Sequence, residues 1–449
     1  MLINFFNYFF TQRYSFYFIT KKINRMIELK AKRDVVICLL CTISAFSGAQ
    51  TVVVDGEIRP RMEYRDGFSK PLLETNDPGV FAVQRTRLNL AFTTGDLSTY
   101  ISFQDSRTFG QTPNASGDAT TGIYEAWAEM LIAPGGSFKM GRQTLKYDDN
   151  RLFSAPAWSN TGTSHDVALF KYNINDFQGH IGLAYNNNAA ISSETYYSPV
   201  SKYRYMGFVW LSKNIIKGLT LSAVGVDEGV QDTTVAGLKK YKKITMNHAY
   251  TFGGNLKYQN EASPLSALAT AYFQAGKSSI GSKMGGNLLA LKVDYKISGI
   301  FSAHVGADFL SGDNNSTDGI QTNFKKLYGA DHTFNGTMDY WDAPLAQGLR
   351  DYYGGLSANV TNKLSLETAY HLFNTDKQLK NEGAQVGRNI GSEIDFIVNY
   401  KLNEWTTIQG GWSSYFTTAN TLLAKNISSA NRTPQWAYIM FTIKPTFFK

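Results

Sequence analysis

The chain has 449 residues, with 44 Lys and Arg against 36 Asp and Glu; charged residues make up only 18% and aromatics 14%, among them 26 Tyr and 29 Phe. Pro is scarce at 11 and Gly frequent at 39. Beyond the first 49 residues no stretch approaches the ~18–20 apolar residues of a membrane helix, which excludes a helical membrane protein; a chain neither greasy nor highly charged fits strands that alternate apolar and polar.

The first 49 residues read as a leader. Lys30, Lys32 and Arg33 form a basic region, Val35 to Phe46 an apolar one, and Ser47-Gly48-Ala49 a small-residue cleavage site. Residues 1–25 are an aromatic, basic extension, and Met26 is the expected start, which gives a signal peptide of ordinary length. Cleavage after Ala49 leaves residues 50–449 as the mature barrel, with 37 basic residues against 34 acidic and a net charge of +3 rather than +8. That removes the main support for a nucleic-acid partner. Both cysteines, Cys38 and Cys41, also leave with the leader, so no disulfide, thiolate metal site or cysteine nucleophile is expected.

From Val54 to Arg65 one parity reads Val54, Gly56, Ile58, Pro60, Met62, Tyr64 and the other Asp55, Glu57, Arg59, Arg61, Glu63, Arg65. Side chains alternate faces along a strand, so one face is apolar and the other charged. Similar segments predict strands at 52–65, 80–94, 97–107, 122–132, 137–148, 165–174, 177–187, 202–213 and 219–228. Nine more follow at 246–258, 265–277, 284–297, 300–311, 347–360, 363–373, 389–402, 405–417 and 433–445. Eighteen is an even number, as closure of a single-chain bacterial barrel requires, and each strand is long enough to cross a bilayer when tilted.

The connections alternate in length. Short turns fall at 94–96, 133–136, 175–176, 214–218, 259–264, 298–299, 361–362 and 403–404. Longer loops fall at 66–79, 108–121, 149–164, 188–201, 229–245, 312–346, 374–388 and 418–432, while 278–283 is short for its place. Short periplasmic turns and long extracellular loops are the pattern of a transmembrane barrel. The fold class is therefore all-β, an antiparallel transmembrane β-barrel of about eighteen strands in the outer membrane of a Gram-negative cell, with both termini in the periplasm. The end of the chain, Phe447-Phe448-Lys449, is the aromatic kind of terminus that barrel-assembly machinery favours. Membrane lipid and lipopolysaccharide are the other expected partners.

Several segments resemble the alginate export family. They are Gln84-Arg85-Thr86-Arg87-Leu88, Gln104-Asp105-Ser106-Arg107, and a series from Gly141-Arg142-Gln143 through Tyr147-Asp148-Asp149-Asn150-Arg151-Leu152 to Trp158 and Asp166. The resemblance implies an eighteen-stranded barrel that passes an anionic polysaccharide through an arginine-lined pore. It points to Arg85, Arg87, Arg107, Arg142, Arg151 and Asp166. Where the family carries an arginine just before the Asp166 position, this chain reads Gly162-Thr163-Ser164-His165. The implied cargo widens to an anionic or neutral oligosaccharide or another small hydrophilic solute.

Residue chemistry leads to the same arginines independently. Arg85 and Arg87 share a parity opposite Thr86, Leu88, Leu90 and Phe92; if the apolar set faces lipid, the arginines face the lumen, and Arg59 and Arg61 follow by the same argument. Guanidinium forks suit carboxylates and hydroxyl-rich sugars. Equally, such arginines pair with lumenal carboxylates, here Glu57, Glu63, Glu125 or Glu129. Arg107 shares its phase with Ile101 and Phe103, placing it above the lipid band or after a bulge; Arg142 lies on a mixed face with Phe138, Met140 and Lys146. Arg151 lies in a loop, either folded into the pore as a constriction or solvated. Tyr64, Tyr147, Trp210, Tyr258 and Trp405 are read as interfacial girdle residues. The aromatic loop 312–346 is expected to fold over or into the pore mouth. Six dispersed histidines show no metal-ligand spacing, Asp313 to Asp318 lacks the full calcium-loop pattern, and no nucleophile elbow or phosphate loop occurs. The expectation is a passive channel with no cofactor, metal or catalytic residue. A structural or adhesive barrel with an occluded pore, or a barrel hydrolase, is the alternative.

Overall fold

The computed structural model of the chain describes residues 50–111, 121–193, 197, 203–232, 245–315, 317–343, 345–430 and 432–449. The expected leader with Cys38 and Cys41, and parts of the expected loops 108–121, 188–201 and 229–245, lie outside the described residues. The chain divides into a large unit, Val52–Phe92 with Asp96–Lys449, and a small one, Met1–Thr51 with Thr93–Gly95. The large unit carries the barrel. Of the small unit only the outer ends of two strands and a turn glycine are described.

In chain order the strands are β1 (Gln50–Asp66), β2 (Gly79–Thr94), β3 (Leu97–Thr108), β4 (Gly122–Ala133), β5 (Gly136–Gln143), β6 (His165–Ile174), β7 (Phe177–Tyr185) and β8 (Tyr205–Ile216). There follow β9 (Leu219–Gln231), β10 (Met246–Gln259), β11 (Leu265–Gly276), β12 (Lys283–Met284), β13 (Asn287–Lys296), β14 (Phe301–Leu310), β15 (Ile320–Gln321) and β16 (Leu349–Asn359). The last are β17 (Leu364–Asn374), β18 (Lys380–Asn381), β19 (Ala384–Gln385), β20 (Asn389–Lys401), β21 (Thr406–Phe416), β22 (Gln435–Ile443) and β23 (Thr446–Phe448). A short helix, α1 (Ala419–Lys425), lies between β21 and β22 and is capped by Thr418.

Eighteen of these strands form the wall. Omitting the short loop strands β12, β15, β18 and β19, each pairs with the next in sequence, antiparallel throughout. β22 then pairs with β1, from Ile58↔Ile443 to Asp66↔Gln435, and closes the barrel. β23 continues that last strand against β1 at Val54↔Phe448. Closure leaves no unpaired edge, the condition for a sheet to stand in hydrocarbon. Every connection at one end is two to five residues long, and the long loops lie at the other end.

The alternation decides which face is which. On β1, Ile58 and Met62 are 43% and 53% exposed, whereas Arg59 is 3% exposed and Glu57, Arg61 and Glu63 are buried. The apolar set thus points outward and the charged set inward. The reverse placement would cost about 2–4 kcal/mol for each Arg on the lipid face near the midplane.

Two strands differ from their predicted extents. The expected strand 137–148 ends at Gln143, because the chain leaves the wall and turns inward through positive φ at Asp148 and Asn150. The expected strand 433–445 is interrupted after Ile443, and Pro445, which has no N–H, separates β22 from β23. One glycine on the wall makes room for what enters the lumen. A Cβ on Gly182 would stand 2.0 Å from the Phe208 ring, which packs on Phe153 inside the barrel.

Candidate functional site

Two loops cross the barrel interior and meet there. The first, residues 144–164, follows β5. Leu145, Leu152 and Phe153 are buried in a core with Phe208, Trp210, Val224 and Val226 from the inner face of β8 and β9. Asp148 accepts from Trp210 Nε1 at 3.0 Å, and Asp149 from Thr270 Oγ1 at 3.1 Å. The second, residues 311–348, links β14 to β16. It runs beside the first loop as an isolated parallel bridge at Phe153↔Tyr328. Backbone bonds Ser154 N–H to Tyr328 O (3.1 Å), Tyr328 N–H to Leu152 O (2.9 Å) and Ala330 N–H to Asn150 O (2.9 Å) hold the two together. Trp158 stacks on His332 at 4.1 Å.

Each loop is tied to the wall by charge. On the β1–β2 side, Arg59 donates to the carbonyls of Ala157, Trp158 and Ser159 and to Asn160 Oδ1. Arg61 donates to Trp158 O at 2.8 Å and lies 3.7 Å over that ring. Arg85 donates to Ser159 O at 2.8 Å and pairs with Glu57 at 2.6 Å. Arg87 donates to Gln104 Oε1 at 2.8 Å and lies 3.7 Å over Tyr124, with one terminal nitrogen buried and lacking an acceptor. Glu63 accepts from Arg61 and Arg65 at 2.8 Å each. Along this inner face stand Arg59, Arg61, Arg65, Arg85 and Arg87 against three carboxylates, Glu57, Glu63 and Asp55, the last accepting from Asn89. The acceptors of Arg59 are neutral, so its charge is solvated by loop dipoles and not cancelled.

The opposite wall is acidic. Arg151, at the tip of the first loop, crosses to Asp308 on β14 at 2.6 Å while holding Asp149 at 2.9 Å. Burial works to lower the Arg151 pKa, but Asp308 and Asp149 more than offset it and hold the guanidinium above its ordinary value. In the same loop burial pushes the Asp148 carboxyl up, against hydrogen bonds from Ser222 and Trp210. Asp351 on β16 lies opposite Asp308 in the register and accepts from His371 Nδ1 at 2.8 Å. Glu393 on β20 accepts from the backbone of Thr337 and of Met338, the latter at 2.8 Å, and Asp395 accepts from Thr337 Oγ1. A Cβ on Gly336, already at φ +81°, would meet the Glu393 carboxylate at 2.6 Å, so glycine lets the second loop sit on this band. Higher up, Tyr340 stacks on Tyr415 at 3.8 Å and donates to Gly67 O, while Trp341 Nε1 donates to Tyr415 OH.

Not every expected pore residue faces the pore. Arg59, Arg61, Arg85, Arg87 and Arg151 point inward. Arg142 and Asp166 do not: they oppose one another in the β5–β6 register and pair at 2.8 Å on the face they share with exposed Met140 and Phe170. That is the outer face, and both lie where their strands meet the long loops. Arg107 pairs with Asp105 at 2.7 Å and shares the outward parity of Ile101 and Phe103 on β3, whose register with β4 shifts between Ser102 and Phe103. Of the expected girdle aromatics, Trp405 is exposed, but Tyr147 and Trp210 are interior, their rings tilted against each other 4.9 Å apart where the first loop meets β8. Trp210 sits inward because its indole N–H reaches the buried Asp148.

The acidic band lies outside the residues expected to line the pore. Its signal was available on β20, where Glu393, Asp395 and Asn399 share the parity opposite Ile394, Phe396 and Val398. Among the described residues no group of three or more His, Cys, Asp or Glu converges to hold a metal ion.

Comparison with known proteins adds a similarity over part of the chain. Residues 52–185 match the family described as Alginate export. Over that segment the chain is similar to the family, and the whole is an outer-membrane β-barrel. The match covers less than half of the chain, and it includes the inner arginine face and the whole first loop. Three solved structures share the closed barrel. Pseudomonas aeruginosa OccK3 (OpdO) is 11% identical with a TM-score of 0.61, over 88% of this chain and 96% of that one. Pseudomonas aeruginosa OpdL is 11% identical with a TM-score of 0.59, over 89% and 99%. Acinetobacter baumannii OccAB1 is 12% identical with a TM-score of 0.59, over 88% and 97%. At such identities the likeness is one of fold. No curated protein matches the chain.

Proposed function

We propose that this barrel is a passive outer-membrane channel, not an enzyme, for hydrophilic and chiefly anionic solutes such as oligo- or polysaccharides. The observation that carries the reading is the inner face of β1 and β2, where five arginines face Asp55 and two glutamates and the hydrogen bonds of Arg59 all go to neutral oxygens. Preorganised cationic groups in a low-dielectric lumen favour anions at the narrowest passage. Arg151, inside the constriction, belongs to the same machinery through its hold on the first loop. In this reading residues 1–49 are removed on export, barrel-assembly machinery inserts residues 50–449, and lipid and lipopolysaccharide surround the outer face.

One observation favours a second reading, an occluded structural or adhesive barrel: two loops cross the lumen and pair with each other. Liposome swelling separates the two. Proteoliposomes in an isosmotic uronic-acid trisaccharide should swell faster than in a neutral trisaccharide of the same size. No swelling in either, with the barrel correctly folded, would favour the occluded reading.

A further inference from the structure

A cavity of about 290 Å³ opens beneath the second loop, against the acidic wall. It lies at the lower end of the ~300–1,000 Å³ range of small-molecule sites. Its lining includes Asp308, Asn335, Glu367, His371 and Asp395. Three of these are more than nine-tenths buried: Asp308 at 1%, Asp395 at 3% and Asn335 at 7% exposure. Each has an oxygen that accepts no hydrogen bond from the protein, namely Asp308 Oδ1, Asp395 Oδ2 and Asn335 Oδ1. Buried acceptors are rarely left without donors, and a carboxylate demands one most strongly.

The cations nearby are already paired with carboxylates, among them Lys292, which is itself part of the cavity lining. Lys292 pairs with Asp294 at 3.1 Å, and Arg151 spends its donors on Asp149 and on the other oxygen of Asp308. His371 gives Nδ1 to Asp351, and its Nε2 stands 3.8 Å from Asp395 Oδ2, outside hydrogen-bond reach. The unmet groups are therefore all acceptors, with negative charge in excess. The carboxylates are spaced around a volume and do not converge on a point, so they suit a group with several N–H donors on a larger body better than a bare metal ion.

We propose that this cavity is a subsite for the primary ammonium group of a monosaccharide-sized solute, such as an amino sugar. The proposal rests on the channel reading and extends it. The arginine face receives acidic groups on one side of the lumen, and the carboxylate band receives an amine on the other, so the preferred cargo carries both. The ammonium supplies three donors and the sugar hydroxyls several more, so the body of the solute as a whole can meet oxygens that do not share one centre.

The test is single-channel recording with glucosamine and with glucose, which has a hydroxyl in place of the ammonium. Glucosamine should interrupt the current with a half-blocking concentration at least tenfold below that of glucose. Asp395→Asn, which keeps an acceptor for Thr337 but replaces the unmet oxygen by a donor, should raise that concentration at least tenfold. If that variant fails to assemble, Glu367→Gln at a water-exposed position on the same cavity takes its place and should also weaken the block. A conducting channel that glucosamine and glucose affect alike, or a block unchanged in the variants, would overturn the subsite and leave the channel reading standing. A barrel that does not conduct would overturn the channel reading. The subsite would then be decided by saturation-transfer NMR of glucosamine against glucose on the detergent-solubilised barrel, where equal transfer to both sugars refutes it.

Discussion

Replacing Arg151 by Met isolates what holds the two interior loops in place. The guanidinium links the tip of the first loop to Asp308, and it also satisfies Asp149. Met fills much of the same volume, so the loss is chiefly electrostatic: Asp308 is left buried without a counter-charge, and Asp149 keeps the Thr270 hydroxyl and the amide of residue 151. Removing one partner of a buried pair costs about 3–5 kcal/mol. At 1.4 kcal/mol for each factor of ten, opening of the loop pair should become about 10²-fold to a few times 10³-fold more frequent. The amides of Ser154, Tyr328 and Ala330 bond only across the two loops, so their hydrogen exchange reports that opening directly. Their exchange should accelerate by this factor while amides on β1 and β22 stay protected, and open-channel current should rise or fluctuate. Adding Asp308→Asn removes the stranded charge and should recover a large part of the protection, a coupling that a double-mutant cycle measures. Unchanged exchange at the three amides in Arg151→Met would refute the view that the pair anchors the constriction.

Three further outcomes follow from the charge layout. Arg59→Met removes donors to residues 157–160 but strands no carboxylate, and Arg61 and Arg85 still hold the loop; it should cost about 1.5–3 kcal/mol of loop seating and reduce anion preference in a salt-gradient reversal potential. Arg142→Met, on the outer face, should leave the reversal potential at the wild-type value, and a shift as large as that of Arg59→Met would show that the face assignment is wrong. Asp376, in the loop after β17, accepts from Gly312 N–H and from Arg350. Burial works to raise its pKa, but the Arg350 hydrogen bond, the Gly312 N–H and Lys377 outweigh it and hold the carboxyl below its ordinary 3.8. A depressed carboxyl stabilises the folded form above its unfolded pKa and loses that contribution as pH falls through the folded value. Exchange at Gly312 should therefore rise only below about pH 4, and a rise already complete at pH 6 would assign the change to another group.

The wall was legible in the sequence because lipid and lumen impose opposite demands on alternate residues. Val54 to Arg65 shows this without any tertiary information, and its two parities face as read. The reading failed where that two-sided constraint stops. After Gln143 the chain leaves the wall, so the strand expected through 148 carried its parity too far and placed Tyr147 in a girdle. Arg142 and Asp166 stand in the same motif as the inner arginines, yet their register with each other and the face they share with Met140 and Phe170 put them outside. The meeting of residues 150–154 with 328–330 has no local signature: it depends on two loops far apart in sequence being held by Arg59, Arg61, Arg85 and Arg151. The acidic wall was written in the parity of β20 but becomes a site only when β14, β16 and β17 lie beside it.

The central claim is an open, anion-favouring lumen, and single-channel recording in a planar bilayer under a potassium chloride gradient tests it most directly. The account predicts discrete conductance steps whose reversal potential lies toward the chloride equilibrium potential and moves toward zero in Arg59→Met. A folded barrel with no conductance steps, or one whose reversal potential lies on the potassium side, would contradict it.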